Sequence, residues 1–347
     1  MRALALTQVG GLEYLAALDL PAPRITADDD VLIRVRCAAL NHLDLFLTEG
    51  VKGITLSFPH IVGTDGAGVV DAVGPAVGSV GPGDRVTINP GICCGECEVC
   101  RAGEDPCCRT YQILGEHRPG TAAELVLVPE RNTHRIPDSM SWEVAAAFPL
   151  STLTAWRMLT TRAGLRPNET VLVWGIGGGV AMAALQIGKH LGARVIVTSS
   201  SDRKLEKARE LGADVTFNHA ERPAADIARD VRKLTGAGAD VVVDSVGEST
   251  WEASLRALRP GGRLVTCGAT TGAEVPLDIR RLFWFQWSLL GSTMGSRREF
   301  AEVLALVLAG KFQPVIDSVV PLEQGRAAYE RMARGEQLGK LVLEVSR

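Results

Sequence analysis

The chain has 347 residues, 46% of them hydrophobic and 22% charged, with a formal net charge of -3 and a pI near 6.1. That length exceeds what one hydrophobic core usually organises and points to two domains of roughly 100 to 200 residues each, while the composition excludes a disordered or fibrous chain. The weak negative charge excludes long-range attraction to nucleic acid or anionic lipid, so the expected substrate is a small molecule.

The opening residues Met1-Arg2-Ala3-Leu4 lack a secretory apolar core, and no apolar run approaches the roughly 20 residues of a membrane-spanning helix. The expected location is therefore the cytoplasm, with no membrane partner. Through about residue 150 short β-like runs alternate with glycine and proline, as in Val31–Val35, Gly68–Val73, the turn Gly81–Val86 and Glu124–Val128. This half reads as mainly β.

After about Ser141 strands alternate with helices, the pattern of βαβ units in a parallel sheet. The expected strands are Thr170–Trp174, Arg194–Thr198, Asp214–Phe217, Asp240–Asp244, Arg263–Cys267 and Ser288–Met294. The first three are separated by helices over Val180–Leu191 and Arg203–Leu211, each followed by a glycine suited to a helix end. Six such strands make a doubly wound α/β sheet that binds a dinucleotide. The apolar stretch Leu282–Leu290, interrupted by Gln286 and Ser288, reads as core or subunit interface. A helix around Glu299–Ala309, the run Pro314–Val320 and a closing strand from Lys340 to Val345 follow; the last needs a β partner and is expected to return to the first domain.

Between the first strand and its helix stands Gly175-Ile176-Gly177-Gly178-Gly179-Val180-Ala181. Glycines there permit a tight turn and let main-chain N–H groups approach a pyrophosphate at the helix N-terminus. The strict spacing fails, since Val180 holds the third glycine position and Ala181 is left to pack the helix on the sheet. At the end of the second strand an acid would bind an adenosine ribose; the chain has Ser199 and Ser200 instead, with Arg203 and Lys204 close behind. NADP(H) is favoured over NAD(H) on this ground, the alternative being that these serines and Asp202 cap the next helix.

Six of the eight cysteines fall between Cys93 and Cys108, a clustering that speaks for metal over disulfides. Cys94, Cys97, Cys100 and Cys108 can place four thiolates around one zinc, a closed and hence structural site. Cys107 competes with Cys108 as fourth ligand, and an iron–sulfur cluster also uses four cysteines.

Together these motifs resemble the medium-chain dehydrogenase/reductase superfamily over essentially the whole chain, and the four-cysteine lobe is similar to that of its zinc-containing alcohol dehydrogenases. The run Pro59–Val70, containing Gly63-Thr64-Asp65-Gly66-Ala67-Gly68, looks like the family's G-H-E-x-A-G signature with two letters changed. The resemblance implies a GroES-like catalytic domain from residues 1–151 and 295–347, carrying the zinc lobe at about 91–110. It further implies a Rossmann cofactor domain over 152–294 and a homodimer or homotetramer. It also implies a catalytic zinc at positions that here hold Asn41, Thr64 and Phe148, and a proton relay at positions that here hold Leu43 and Phe46. Without a Lewis acid and a relay, alcohol oxidation lacks its usual means of removing the hydroxyl proton.

Ala39-Leu40-Asn41-His42-Leu43-Asp44 looks instead like the zinc-free quinone oxidoreductase and enoyl reductase branches. That likeness implies hydride delivery from NADPH to a quinone or an α,β-unsaturated carbonyl, where a hydrogen bond to the carbonyl can suffice. Asn41, Asp44 and Thr64 are the catalytic candidates. His42 is assigned to the cofactor with Gly175, Gly177, Gly178, Gly179, Val180, Ser199, Ser200, Arg203 and Lys204. Asn41 equally suits a local turn, Asp44 and Asp65 suit buried structural roles, His117 lies in a loop near the cleft or in solvent, and His60 has no assignment. Two other readings stand beside the reductase: an alcohol dehydrogenase with an unconventional zinc site drawn from Asp44, Asp65, His42 or His117, and a non-catalytic NADPH-binding protein on the same fold.

Overall fold

The computed structural model describes residues 1–51 and 53–346. They divide into two compact units. Met1–Ser151, Gly295–Leu308 and Gln313–Arg347 form the first, Thr152–Met294 and Ala309–Phe312 the second.

The first unit is organised by a seven-stranded sheet. Six of its strands follow the order Thr133–Arg135, Arg85–Ile88, Asp65–Val73, Asp30–Ala39, Lys340–Glu344, Ile316–Pro321, and Leu125–Pro129 also pairs with Asp30–Ala39. Val31, Ile33 and Val35 alternate into the core with no exposed surface, the period-two pattern of a strand with one dry face. The closing strand lies antiparallel to Asp30–Ala39 with Val342 opposite Ala39. Leu341 and Leu343 thereby join Leu4, Leu6, Leu15 and Tyr329 in one apolar cluster.

A second, three-stranded sheet pairs Leu15–Asp19, Arg2–Leu6 and His60–Ile61. Helices that the β-like composition did not announce occupy His42–Glu49 and Trp142–Ala147; the first begins one residue after Asn41.

The second unit holds six parallel strands in the order Val215–Asn218, Arg194–Ser199, Thr170–Val173, Ala239–Val243, Leu258–Thr266, Ser288–Gly291. In chain order this is third, second, first, fourth, fifth, sixth, the dinucleotide-binding arrangement, which reverses beside Thr170–Val173. Val171, Leu172 and Val173 have no exposed surface, as a central strand covered on both faces requires. Burial of each such side chain contributes about 1.5–3 kcal/mol. Helices Gly179–His190 and Asp202–Glu210 are followed by Gly192 and Gly212 at φ 75° and 95°.

One expectation changes here. The sixth strand ends at Gly291, short of Met294. The stretch Leu282–Leu290, expected as core or subunit interface, is divided: helix Ile279–Trp284 leaves Phe283 65% and Trp284 76% exposed, while Trp287 is buried.

Candidate active site and metal lobe

The Sγ atoms of Cys94, Cys97, Cys100 and Cys108 all lie within 4.8 Å of one another. Cys94 is 3.9 Å from Cys100 and 3.6 Å from Cys108, and Cys97 is 3.9 Å from Cys108. Four thiolates at about 2.3 Å from a tetrahedral zinc are themselves about 3.8 Å apart, so the lobe fits the ion with its thiols where they stand. Hydrogen bonds from the Cys94 main chain and the Thr110 hydroxyl hold the Cys108 thiol down to about 6, and main-chain groups of Glu96 and Cys97 pull Cys94 down as well. Both shifts favour the thiolate that binds metal.

Cys107 is exposed and outside the group, which decides for Cys108 as the fourth thiol. Cys93 is buried beside Cys100, with its Sγ 3.5 Å from Asp105 Oδ1. Asp105 in turn accepts the Arg297 main-chain N–H at 2.7 Å and its guanidinium at 3.3 and 3.4 Å. That pairing ties the lobe to helix Arg297–Leu308, a contact between residues 192 apart in sequence.

In the second unit the first strand runs into a turn with Gly175 at φ 68° and Gly177 at φ 148°, angles that L side chains rarely adopt. A Cβ at Gly177 would stand 2.8 Å from Lys204 Cδ and 3.0 Å from its Nζ. Lys204 therefore lies across the turn. Gly178 is the N-cap of the 12-residue helix Gly179–His190, and its N-terminal N–H groups and dipole favour an anion. With Lys204 above them, these residues fit a dinucleotide pyrophosphate.

The tight approach of this helix to the sheet falls at Gly188, where a Cβ would be 2.9 Å from Val195 Cγ2. Gly188 thus lets the helix come close to the sheet, and Ala181 is buried in its first turn as well. At the end of the second strand Ser199 is buried and its Oγ accepts from the Ser201 N–H at 3.2 Å. Ser200 and Arg203 are exposed. Ser201 is the N-cap of helix Asp202–Glu210 without bonding it through its side chain. Thr198 Oγ1 accepts from the Gly175 N–H at 3.2 Å and lies 3.2 Å from His219 Nδ1, so two residues that sequence reasoning passed over fix the glycine turn to the strand.

In the first unit the catalytic candidates meet in one buried polar network. Asn41 Nδ2 donates to Asp65 Oδ2 at 2.9 Å and to Ala39 O at 3.3 Å, and its Oδ1 accepts from Lys340 Nζ at 2.5 Å. Lys340 also reaches Asp65 Oδ2 at 3.0 Å, and Asp65 Oδ1 accepts the Leu150 N–H at 2.8 Å. Asp44 Oδ2 accepts from the Asn41 N–H and the Tyr329 hydroxyl, each at 2.9 Å, and its Oδ1 accepts from Thr64 Oγ1 at 3.4 Å. Asp44, Thr64 and Asp65 have no exposed surface, and Asn41 keeps 6%.

Burial pushes the Asp44 carboxyl up to about 6 against the pull of its donors and Lys340. Burial likewise raises Asp65, opposed first by Lys340. Both amide hydrogens of Asn41 are spent, which leaves the third hydrogen of the Lys340 ammonium and, once Asp44 itself holds a proton, the Thr64 hydroxyl hydrogen to give.

Sequence reasoning missed Lys340 and Tyr329. A lysine at the head of the otherwise apolar run Leu341-Val342-Leu343 was the available signal. His42 is half-buried in the first turn of its helix. His117 is exposed, its Nδ1 accepting from the Ile113 N–H at 3.2 Å, and His60 donates to Gly115 O at 2.9 Å. Neither joins the network. Phe148 is buried against Phe300, with ring centroids 5.8 Å apart; the residue of that segment that reaches Asp65 is Leu150.

Two family models match the chain: the alcohol dehydrogenase GroES-like domain over residues 27–138 and the zinc-binding dehydrogenase over residues 179–309. An NAD-dependent alcohol dehydrogenase of Sulfolobus acidocaldarius is 33% identical over all of both chains. An alcohol dehydrogenase of Geobacillus stearothermophilus is 31% identical over 95% of this chain and 96% of its own. The crystal structure of an NAD-dependent alcohol dehydrogenase superposes with a TM-score of 0.94 at 46% identity, covering 100% of each chain. The chain belongs to the zinc-type alcohol dehydrogenase family. It is an NAD(P)-dependent oxidoreductase of the medium-chain superfamily, with a GroES-like unit and a Rossmann unit.

For a zinc-type dehydrogenase its GroES-like unit has an unusual donor set. Among the described residues, the groups able to hold a metal are the four cysteines and Cys93 with Cys100 and Asp105. An amide, a threonine hydroxyl and a phenyl ring stand at the positions that the resemblance assigned to the catalytic metal. The neighbouring carboxylates are already bonded to Lys340, Tyr329 and main-chain N–H groups. These residues do not fit a second zinc. Beside the His42–Glu49 helix an apolar hollow of about 530 Å³ is lined by Val9, Leu47, Val51, Ile54, Leu56 and Phe58.

Proposed function

We propose that this zinc-type dehydrogenase uses NADP(H) to deliver hydride to a quinone or an α,β-unsaturated carbonyl, with zinc at Cys94, Cys97, Cys100 and Cys108 serving structure alone. The observation that carries the reading is Lys340, whose ammonium is bonded to Asn41 and Asp65 in the network holding two of the three positions that the resemblance assigns to the catalytic metal. A buried ammonium thus stands among these positions, paired with a carboxylate, and an electron-poor acceptor needs a hydrogen bond more than a Lewis acid. Residues 1–151 and 295–347 would form the catalytic domain and 152–294 the cofactor domain.

Bound NADPH supplies the hydride. Asp44, raised to about 6, would hold a proton at its carboxyl below that pH; Thr64 Oγ1, 3.4 Å away, would then pass a hydrogen to the acceptor oxygen. Asn41 positions both. Gly175, Gly177, Gly178, Gly179 and Val180 would bind the pyrophosphate with Lys204 and His42, and Ser199, Ser200 and Arg203 the adenosine 2'-phosphate. The missing acid at the strand end supports NADP(H); the relatives named NAD-dependent favour NAD(H). The apolar hollow suits a hydrocarbon portion of the acceptor.

The exposed aromatic helix Ile279–Trp284 stands next in sequence to the sheet's edge strand Ser288–Gly291, and both support a homodimer or homotetramer, since free edges and apolar patches are usually covered. Eight unpaired cysteines suit the cytoplasm. No helix among the described residues is long and apolar enough to cross a membrane.

A second reading, alcohol oxidation with an unconventional zinc, is favoured by the names of the relatives. Elemental analysis after mild chelation, run beside turnover of enones, quinones and alcohols, separates the two. One zinc per chain with enone or quinone turnover supports the proposal, and Thr64→Val should abolish that turnover while retaining the zinc. Two zincs with alcohol turnover establish the second reading.

A further inference from the structure

A hollow of about 570 Å³ opens on the second unit among Arg229, Arg232, Arg256, Arg281, Phe285 and Trp287. Asp226, Arg229 and Arg232 recur every three residues and so share one face of helix Ala224–Thr235. Arg256 comes from the last turn of helix Glu248–Ala257, and Arg281 from helix Ile279–Trp284.

The charges of this wall are only partly matched. Asp226 pairs with Arg229 at 2.9 Å, and Glu252 pairs with Arg256. Arg232 donates to two carbonyls, Leu258 O at 3.1 Å and Arg256 O at 3.5 Å, which satisfies hydrogen bonds but cancels no charge. Arg281 lies 5.3 Å from the centroid of the Trp287 ring, and that ring stacks on Phe285 at 5.0 Å and 22°. Among the described residues no ion pair joins Arg232 or Arg281 to a carboxylate. Four guanidinium groups with a surplus of positive charge attract an anion, their planar forks match phosphate oxygens two at a time, and the stacked aromatic pair offers a flat apolar floor.

This place is not the dinucleotide site. Arg232 bonds the carbonyl of Leu258, the first residue of its strand, and Trp287 immediately precedes the strand Ser288–Gly291. Both mark the amino ends of the parallel strands. The glycine turn follows the carboxyl end of Thr170–Val173, at the opposite edge of the sheet. We propose that the arginine hollow is a second anion site, taking one small ligand that carries at least two phosphate groups.

The test is calorimetric titration of inorganic pyrophosphate into the whole protein saturated with whichever nicotinamide dinucleotide binds it tighter, so that the glycine turn is filled. The expected result is one saturable site per chain, weakened by salt and weakened at least tenfold by Arg281→Gln and by Arg232→Gln, with dinucleotide affinity unchanged. Arg281→Gln keeps the test decisive if loss of the Arg232 carbonyl bonds prevents folding. Absence of saturable binding once the dinucleotide is bound would overturn the proposal, as would equal binding by Arg281→Gln.

Discussion

Replacing Lys340 by methionine removes the ammonium that meets Asp65 inside the first unit, where the two side chains are 3% and 0% exposed. Asp65 would keep the Asn41 amide and the Leu150 N–H, and Asn41 Oδ1 would lose the donor it has now. Breaking one side of a buried ion pair costs about 3–5 kcal/mol, a fall in Tm on the order of 10 °C for a domain of ~150–250 residues.

The deficit has a direction in pH. Burial already raises the Asp65 carboxyl, and loss of Lys340 raises it further, so the folded variant binds that proton more tightly than the unfolded chain. Its stability is retained below the ordinary carboxylate range and lost as pH rises through the raised value. Lys340→Met should therefore be milder at pH 5 than at pH 8. Adding Asp65→Asn should recover a large part of the loss, through a coupling of about 2–3 kcal/mol. Urea denaturation of the two single variants, the double variant and the parent measures this directly. A single-variant cost below about 1 kcal/mol at pH 8, or strict additivity in the cycle, would refute the reasoning.

Two further outcomes follow from the same geometry. Asp44 sits at about 6, above the ordinary 3.8, so its contribution to stability is full below about pH 4 and falls away as pH rises through 6, by about 3 kcal/mol in all. Asp44→Asn removes that slope, and parallel stability curves for variant and parent between pH 4.5 and 8 would count against the shift. Arg203→Glu should weaken NADPH more than tenfold and NADH less, read by cofactor fluorescence; equal losses would remove Arg203 from the 2'-phosphate, and a parent chain that binds NADH tighter would end the NADP(H) assignment.

The parts of this protein that the amino-acid order determined by itself are those whose partners lie close in the chain. The four thiols fall within fifteen residues, so their spacing alone announces a metal lobe. The strand, glycine turn and helix from Thr170 to His190 are likewise contiguous, and the regular alternation of apolar strands with helices announced the parallel sheet. Resemblance also located the replaced positions Asn41 and Thr64. It had no means of saying which distant side chains meet them.

That was decided by tertiary structure. Lys340 is 299 residues from Asn41 and Tyr329 is 285 from Asp44; Lys340 arrives because the closing strand pairs antiparallel with Asp30–Ala39, in a register set by Val342 opposite Ala39, and Tyr329 arrives on helix Gly325–Ala333. Gly188 became the packing glycine through its distance to Val195 across the sheet, which no local motif encodes. The arginine hollow draws on three helices. Short-range order follows from local spacing, whereas a buried charge has meaning only once the fold has excluded water and chosen its neighbours.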